Sequence, residues 1–178
     1  MTESTDVLKA LRESRAKLAA ATEGLTQAQA AIKPSPEKWS VLECVEHIVL
    51  AERRIRGWAE NPQEGEAPPA NPQKEAELME AMAVRATRRQ SPEPARPNGR
   101  YTTLAEALRE FEKERAHSIA FVEKQGPGLY TRRATHPFFG AINGAETICL
   151  MAAHSERHAA QIREVRAAIE SPASEEKP

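Results

Sequence analysis

Residues 143–170, NGAETICLMAAHSERHAAQIREVRAAIE, carry the pattern that most clearly indicates a helical fold. Their apolar side chains recur at the three- and four-residue spacing of an amphipathic helix. Asn143 can cap the first turn, and Glu146 stands at the third helical position, where a capping box requires it. The sequence therefore predicts a long final helix whose apolar face carries Ile148, Met151, Ile162, Val165 and Ile169.

Two further long helices are predicted in the first third of the chain. The first runs from about Thr5 to Gly24, where leucines with heptad spacing form an apolar stripe. Prolines within residues 33–38 separate it from the next helix, because they remove amide donors and restrict the residues before them. The second helix is placed at Val41–Glu60, and Ser40 with Glu43 forms its capping box.

The middle of the chain adds one short and one long helix. Lys74–Arg89 is predicted as a short helix between two proline-rich surface loops. Thr103 and Glu106 form another capping box, and the helix that follows continues to Gly126, where glycine favours a stop. The predicted fold is therefore all-α, a four-helix bundle with one additional short helix.

Length and composition limit the class of protein. Residues 1–170 are expected to form a single domain, and the polar residues 171–178 a disordered tail. The 25 basic and 26 acidic side chains are dispersed and give a formal net charge of -1, so no nucleic-acid partner is expected. No segment approaches the roughly 20 apolar residues that span a bilayer, and the first residues lack the pattern of an export signal.

The two cysteines, Cys44 and Cys149, form neither a metal-binding pair nor a disulfide framework. A reducing environment suits such a chain, because unpaired thiols persist there. The expectation is a cytoplasmic protein that acts on a small molecule. Whether it forms a homodimer stays open.

Two histidines fall inside the apolar face of the final helix. At about 100° per residue, His158 lies between Met151 and Ile162, and His154 lies one turn earlier. Side chains four residues apart share one face, so both imidazoles can reach a single ion. The alternative is a pair of core histidines that hydrogen-bond to each other or to the backbone.

His47 is the candidate third ligand, because it lies at the edge of the apolar face of the second long helix. Three imidazoles and one open position are the arrangement of a catalytic zinc site, not of a closed structural one.

Three segments of the sequence resemble the DinB/YfiT-like family: Trp39–Ile48, His136–Gly140 and His154–Ile162. The family consists of damage-inducible and related bacterial proteins, unconnected with the DNA polymerase of the same name. The resemblance implies a four-helix bundle with one metal ion held by His47, His154 and His158. It covers the chain from the second long helix to the C-terminal region. The resemblance does not indicate which substrate this chain would act on.

The resemblance also implies two kinds of chemistry, since some members of the family are described as metal-dependent hydrolases and others as transferases of low-molecular-weight thiols such as bacillithiol or mycothiol. Zinc can lower the pKa of a coordinated water to about 7, and a coordinated thiol is deprotonated. Zinc or nickel is the preferred ion, but imidazole also accepts manganese or iron.

Three further residues are weaker candidates for the site. Glu43 could act as a catalytic proton acceptor, although it is also the capping residue of its helix. His136 could line a substrate-binding mouth or anchor its own loop. Gln161 could contact a substrate or bridge two helices.

Three hypotheses for function remain at this stage. The first is a metal-dependent hydrolase or thiol S-transferase. The second is a non-catalytic metal- or ligand-binding stress-response bundle. The third treats the histidines as polar core residues that hold no metal.

Overall fold

The computed structural model describes residues 3–84 and 91–171. Four long helices make up most of it: α1 (Glu3–Thr22), α3 (Val41–Glu60), α5 (Leu104–Gln125) and α6 (Gly144–Glu170). Two shorter helices, α2 (Gln27–Ala31) and α4 (Pro72–Ala83), lie between them. The predicted four-helix bundle is confirmed, and the predicted bounds of α3 agree with the structure.

The helices pack in an order that differs from their order in the chain. Helix α6 packs against α1 and α3, and α5 packs against the same two helices. Consequently α1 lies diagonally opposite α3, and α5 lies diagonally opposite α6. Helix α4 covers the outer side of α6. This arrangement places α3 beside α6, the two helices that carry the candidate metal ligands.

Local capping explains where the site helices begin. The Ser40 hydroxyl accepts the Glu43 N–H while the Glu43 carboxylate accepts the Ser40 N–H, so the predicted capping box is formed. Asn143 and Glu146 form the same reciprocal pair at the start of α6. Such caps are worth about 1 kcal/mol each, and they fix which residues become the first helical turn.

The cap of α5 differs from its prediction. The Thr103 hydroxyl accepts the Glu106 N–H, but the Glu106 carboxylate accepts the N–H of Thr102 and not that of Thr103. The helix ends at Gln125, and the predicted stop follows at Gly126, whose φ of 50° lies in the left-handed region that glycine tolerates. The start and end of the helix are nevertheless as the sequence indicates.

Several short elements were not predicted. The capping box of Thr26 and Gln29 starts the five-residue α2. Two three-residue strands, β1 (Ala134–His136) and β2 (Gly140–Ile142), pair antiparallel as a hairpin just before α6. Helix α4 begins two residues before the predicted Lys74 and ends at Ala83, and residues 85–89 of the predicted Lys74–Arg89 helix lie outside the described residues. Residues 172–178 of the predicted 171–178 tail also lie outside them.

A charged side chain occupies the centre of the bundle. Arg115 of α5 is fully buried and binds Glu52 of α3 through two N–H···O contacts of 2.7 Å. Its remaining donors reach the Leu11 carbonyl and the Ser14 hydroxyl of α1 and the Ser155 hydroxyl of α6. One guanidinium thus uses all five of its donors and links all four long helices.

The described helices include none that is both long enough and apolar enough to cross a membrane. Their apolar faces are instead turned into the bundle, where the largest buried side chains include Phe111, Leu11, Ile48 and Met151.

Candidate metal centre

Three histidines from two helices meet between α3 and α6. One ring nitrogen from each of His47, His154 and His158 lies within 4.8 Å of the other two. The ring centroids are 4.4–4.9 Å apart, so each imidazole contacts both others. His47 is 3% exposed and His158 8% exposed, while His154 is half-buried. The structure therefore brings together the three residues that the sequence singled out.

Within the cluster, 3.1 Å separates Nε2 of His47 from Nε2 of His154. Two nitrogens bound to one tetrahedral ion at about 2.0–2.1 Å are separated by roughly 3.3 Å. The observed His47–His154 distance is close to that value, and the ring nitrogen of His158 lies within 4.8 Å of the other two. The His47–His154 distance is also compatible with an N–H···N hydrogen bond, which is the contact expected of metal-free core histidines.

A backbone carbonyl fixes the orientation of His47. Its Nδ1 lies 2.6 Å from the carbonyl oxygen of Ala95, which belongs to the short 3-10 helix Glu93–Ala95. A carbonyl can only accept, so Nδ1 carries the proton and donates it. Nε2 is therefore left with its lone pair directed at the cluster, as metal-binding histidines require.

His158 is oriented in the same way by a side chain. Its Nδ1 lies 2.8 Å from Oε1 of Gln161, one turn further along α6. With the amide oxygen as acceptor, Nδ1–H is the donor, and Nε2 of His158 is the nitrogen with a free lone pair. Gln161, a candidate substrate contact in the sequence, thus lies where it orients a candidate ligand.

The electrostatic environment keeps the three rings neutral. Burial lowers the pKa of His154 and of His158 well below the usual value, and neighbouring imidazoles and the positive charge of Arg157 lower both pKa values further. Burial also lowers the pKa of His47, against a smaller opposite effect of the Ala95 hydrogen bond. Neutral imidazole is the form that binds a metal ion, so near neutral pH the donors are available.

Trp39 forms an aromatic wall beside the cluster, which the sequence interpretation did not predict. Its ring centroid lies 4.9 Å from that of His47 and 6.2 Å from that of His158. The indole packs where α3 begins, immediately before the cap residue Ser40. The sequence analysis included Trp39 only as the first residue of a segment that resembles the DinB/YfiT-like family, and it assigned the indole no place beside the histidines.

The other two weak candidates, Glu43 and His136, make contacts outside the histidine cluster. The Glu43 carboxylate accepts the Ser40 N–H and forms an ion pair of 2.8 Å with Lys33, contacts that favour its capping role. His136 accepts the N–H groups of Phe138 and Phe139 through Nδ1, which favours anchoring of the hairpin turn. Neither residue belongs to the three-histidine cluster.

The remaining histidine and the two cysteines do not belong to the cluster either. His117 lies on the surface with its side chain 59% exposed, 3.2 Å from a carboxylate oxygen of Glu60. Cys44 and Cys149 are buried among apolar side chains of two core clusters. An open surface hollow of about 500 Å³ between the Gly65–Ala70 loop and Tyr130 includes none of the three clustered histidines.

The protein is a four-helix bundle in which α1 lies diagonally opposite α3, and three histidines from α3 and α6 converge inside it. These two features define a class of helical bundle with a candidate metal centre. Residues 10–162 match the model of the DinB superfamily, which is most of the chain. The chain belongs to the DinB superfamily, and the resemblance found in its sequence is confirmed.

The chain is also similar to two other proteins, one in sequence and one in structure. The chain is 26% identical over 149 residues to the uncharacterized protein YuaE of Bacillus subtilis (strain 168), covering 83% of this chain and 89% of YuaE. It is similar in structure to YfiT from Bacillus subtilis, described as a probable metal-dependent hydrolase with an unusual four-helix bundle topology. That similarity has a TM-score of 0.56 at 20% identity and covers 93% of this chain and 87% of YfiT, and it establishes the shared fold.

Proposed function

We propose that this protein is a metal-dependent hydrolase that acts on a small molecule, with one divalent ion held by His47, His154 and His158. The observation that carries the proposal is the convergence of three ring nitrogens from α3 and α6 within 4.8 Å of one another. The description of YfiT as a probable metal-dependent hydrolase is consistent with it.

The donor set fits a divalent ion. Three neutral imidazoles leave the charge of the ion uncompensated and one coordination position open, which is the usual condition of a catalytic zinc site. An ion held there would lower the pKa of a water molecule or thiol that reaches the open position. Zinc and nickel are our preferred ions, because nitrogen-donor sites generally bind both more tightly than manganese or iron.

The residues around the cluster supply orientation and charge. The Ala95 carbonyl and the Gln161 side chain hold two of the rings, so that the orientation of both is set before an ion binds. Arg157 adds positive charge beside His154 and His158. That charge favours anionic substrates and reaction intermediates, and the indole of Trp39 offers a flat apolar surface for the rest of the substrate.

The proposal is tested first by metal content. Protein purified without an affinity tag and analysed by inductively coupled plasma mass spectrometry is expected to hold about one divalent ion per chain. His154→Ala should lose that ion. The matched control is His117→Ala, which removes an exposed histidine outside the cluster and should retain it.

Activity is then measured on a panel of chromogenic esters, amides and phosphoesters, each with and without a low-molecular-weight thiol. We expect thiol-independent hydrolysis that is lost in His154→Ala and on chelation, and restored by zinc or nickel. If turnover occurs only when a thiol is present, the proposed activity is thiol S-transfer and not hydrolysis. A metal-loaded protein without any turnover would support a non-catalytic bundle, and turnover that persists in His154→Ala would contradict the proposed site.

A further inference from the structure

Glu46, the residue before His47, is a buried carboxylate held by backbone amides. It is 1% exposed, and its oxygens accept the N–H groups of Asn98 at 2.9 Å, Gly99 at 3.2 Å and Arg100 at 3.2 Å. Within residues 3–84 and 91–171, no lysine or arginine side chain forms an ion pair with it. Three successive N–H dipoles therefore compensate its charge, and they connect α3 to the loop before α5.

The backbone of this loop is shaped to bind the carboxylate. Gly99 has a φ of 78°, in the left-handed region, and this turn directs three consecutive N–H groups toward one anion. A side chain at this position would have free space, since an added Cβ would meet nothing within 4 Å. A substitution of Gly99 thus strains the backbone alone.

The same loop carries the carbonyl that orients His47. Ala95 precedes Asn98 by three residues, is 2% exposed, and donates its own N–H to the Pro92 carbonyl. Its oxygen lies 2.6 Å from Nδ1 of His47. Two consecutive residues of α3 are therefore attached to one loop, His47 through a carbonyl and Glu46 through three amides.

We propose that Glu46 is a positioning residue for His47. By holding the amides of residues 98–100, it keeps the Ala95 carbonyl against Nδ1, and this in turn keeps the lone pair of Nε2 directed at the histidine cluster. Without the carboxylate the loop is free to shift, and a shifted carbonyl no longer selects one tautomer of the ring. The consequence for metal affinity rests on the function proposed above, but the consequence for the tautomer does not.

We call the three hydrogen bonds between the Glu46 carboxylate and the amides of residues 98–100 the clamp. The test uses two variants that disrupt it, one in the carboxylate and one in the turn. Glu46→Gln removes the charge and one acceptor oxygen, whereas Gly99→Ala strains the amide turn. Glu106→Gln is the matched control, because Glu106 also accepts a loop amide, that of Thr102, but lies beyond the clamped residues. The His47 tautomer is measured in metal-free protein by long-range 1H–15N correlation spectra, and zinc affinity by competition with a chromophoric chelator.

We expect a single Nδ1–H tautomer of His47 in wild-type protein and in Glu106→Gln, and mixed tautomers in both clamp variants. Zinc affinity should fall about 10–100-fold in the clamp variants, the usual effect of losing an orienting partner of a metal ligand, and stay near the wild-type value in the control. If Glu46→Gln does not fold, the His47 tautomer and the zinc affinity of Gly99→Ala decide whether the clamp positions His47.

Folded clamp variants with the wild-type tautomer and unchanged affinity would overturn the role of Glu46. So would a control that loses affinity equally, since the effect would then come from loosening the loop in general. If wild-type protein binds no divalent ion, the proposed function fails, and the tautomer of the metal-free protein still decides the positioning role.

Discussion

Nε2 of His47 and Nε2 of His154 lie 3.1 Å apart, although 107 positions separate the two residues in the chain. Since Nδ1 of His47 donates to the Ala95 carbonyl, Nε2 of the neutral ring can only accept a hydrogen bond or bind an ion. The contact is therefore either an N–H···N bond donated by His154 or the edge of a metal site. Both have similar geometry, and only the second responds to added metal.

Adding zinc or nickel to metal-free protein is expected to raise its melting temperature. An ion that binds only the folded state stabilises it by about 2.7 kcal/mol at a hundredfold excess over its Kd, which corresponds to about 5–10 °C for a chain of this length. Differential scanning fluorimetry measures the shift. His154→Ala should show none and His117→Ala the full shift. If no divalent ion changes the melting temperature of the wild-type protein, the contact between His47 and His154 is a hydrogen bond and not part of a metal site.

Gln161→Ala is expected to weaken zinc binding by about tenfold, because the Nδ1–H of His158 loses its acceptor at 2.8 Å. Gln161→Glu retains an acceptor and should bind zinc at least as well as the wild type. Chelator competition measures both affinities. A Gln161→Ala protein with unchanged zinc affinity and a raised KM would instead show that this side chain contacts the substrate.

Glu52→Gln is expected to destabilise the bundle by about 3–5 kcal/mol, since it leaves the fully buried guanidinium of Arg115 without its counter-charge. Urea unfolding followed by circular dichroism measures the free energy of unfolding. Replacing both residues, as Glu52→Leu with Arg115→Met, should cost less than the sum of the two single changes. Strictly additive costs would show that the pair is not coupled.

The largely buried ion-pair network around Glu114 is expected to make stability depend on acid pH. Burial acts to raise the pKa of Glu114, but hydrogen bonds and ion pairs with Arg53 and Arg56 outweigh it and lower the pKa below its usual value. The unfolded chain then takes up a proton at a higher pH than the folded one. The stabilising contribution is therefore complete above the unfolded pKa of about 4.3 and is lost as pH falls through the folded value.

This dependence is measured as the difference in unfolding free energy between wild-type protein and Glu114→Gln from pH 7 to pH 3. The difference should favour the wild type at pH 7 and shrink in acid. A difference that is constant over this range would show that the charge of Glu114 does not contribute.

Much of the fold follows from local patterns. Ser40 with Glu43 and Asn143 with Glu146 mark the starts of α3 and α6, because a capping box involves residues only three positions apart. The small α2 was missed although it has a box of the same kind, since Thr26–Gln29 is followed by too few residues for a helical period to be recognised. The hairpin before α6 was missed for a related reason, because strands of three residues show no alternation.

The sequence by itself determined the helical class of the protein, the bounds of α3, and the inward face of His154 and His158, because these follow from contacts within a single helix. It proposed His47 as their partner, but only the tertiary structure decided how far its ring lies from theirs. The roles of Ala95, Gln161 and Glu46 also appeared only in three dimensions. A backbone carbonyl has no sequence signature, and a turn that presents its amides to a carboxylate 52 residues away is specified by the packing of a loop on a helix.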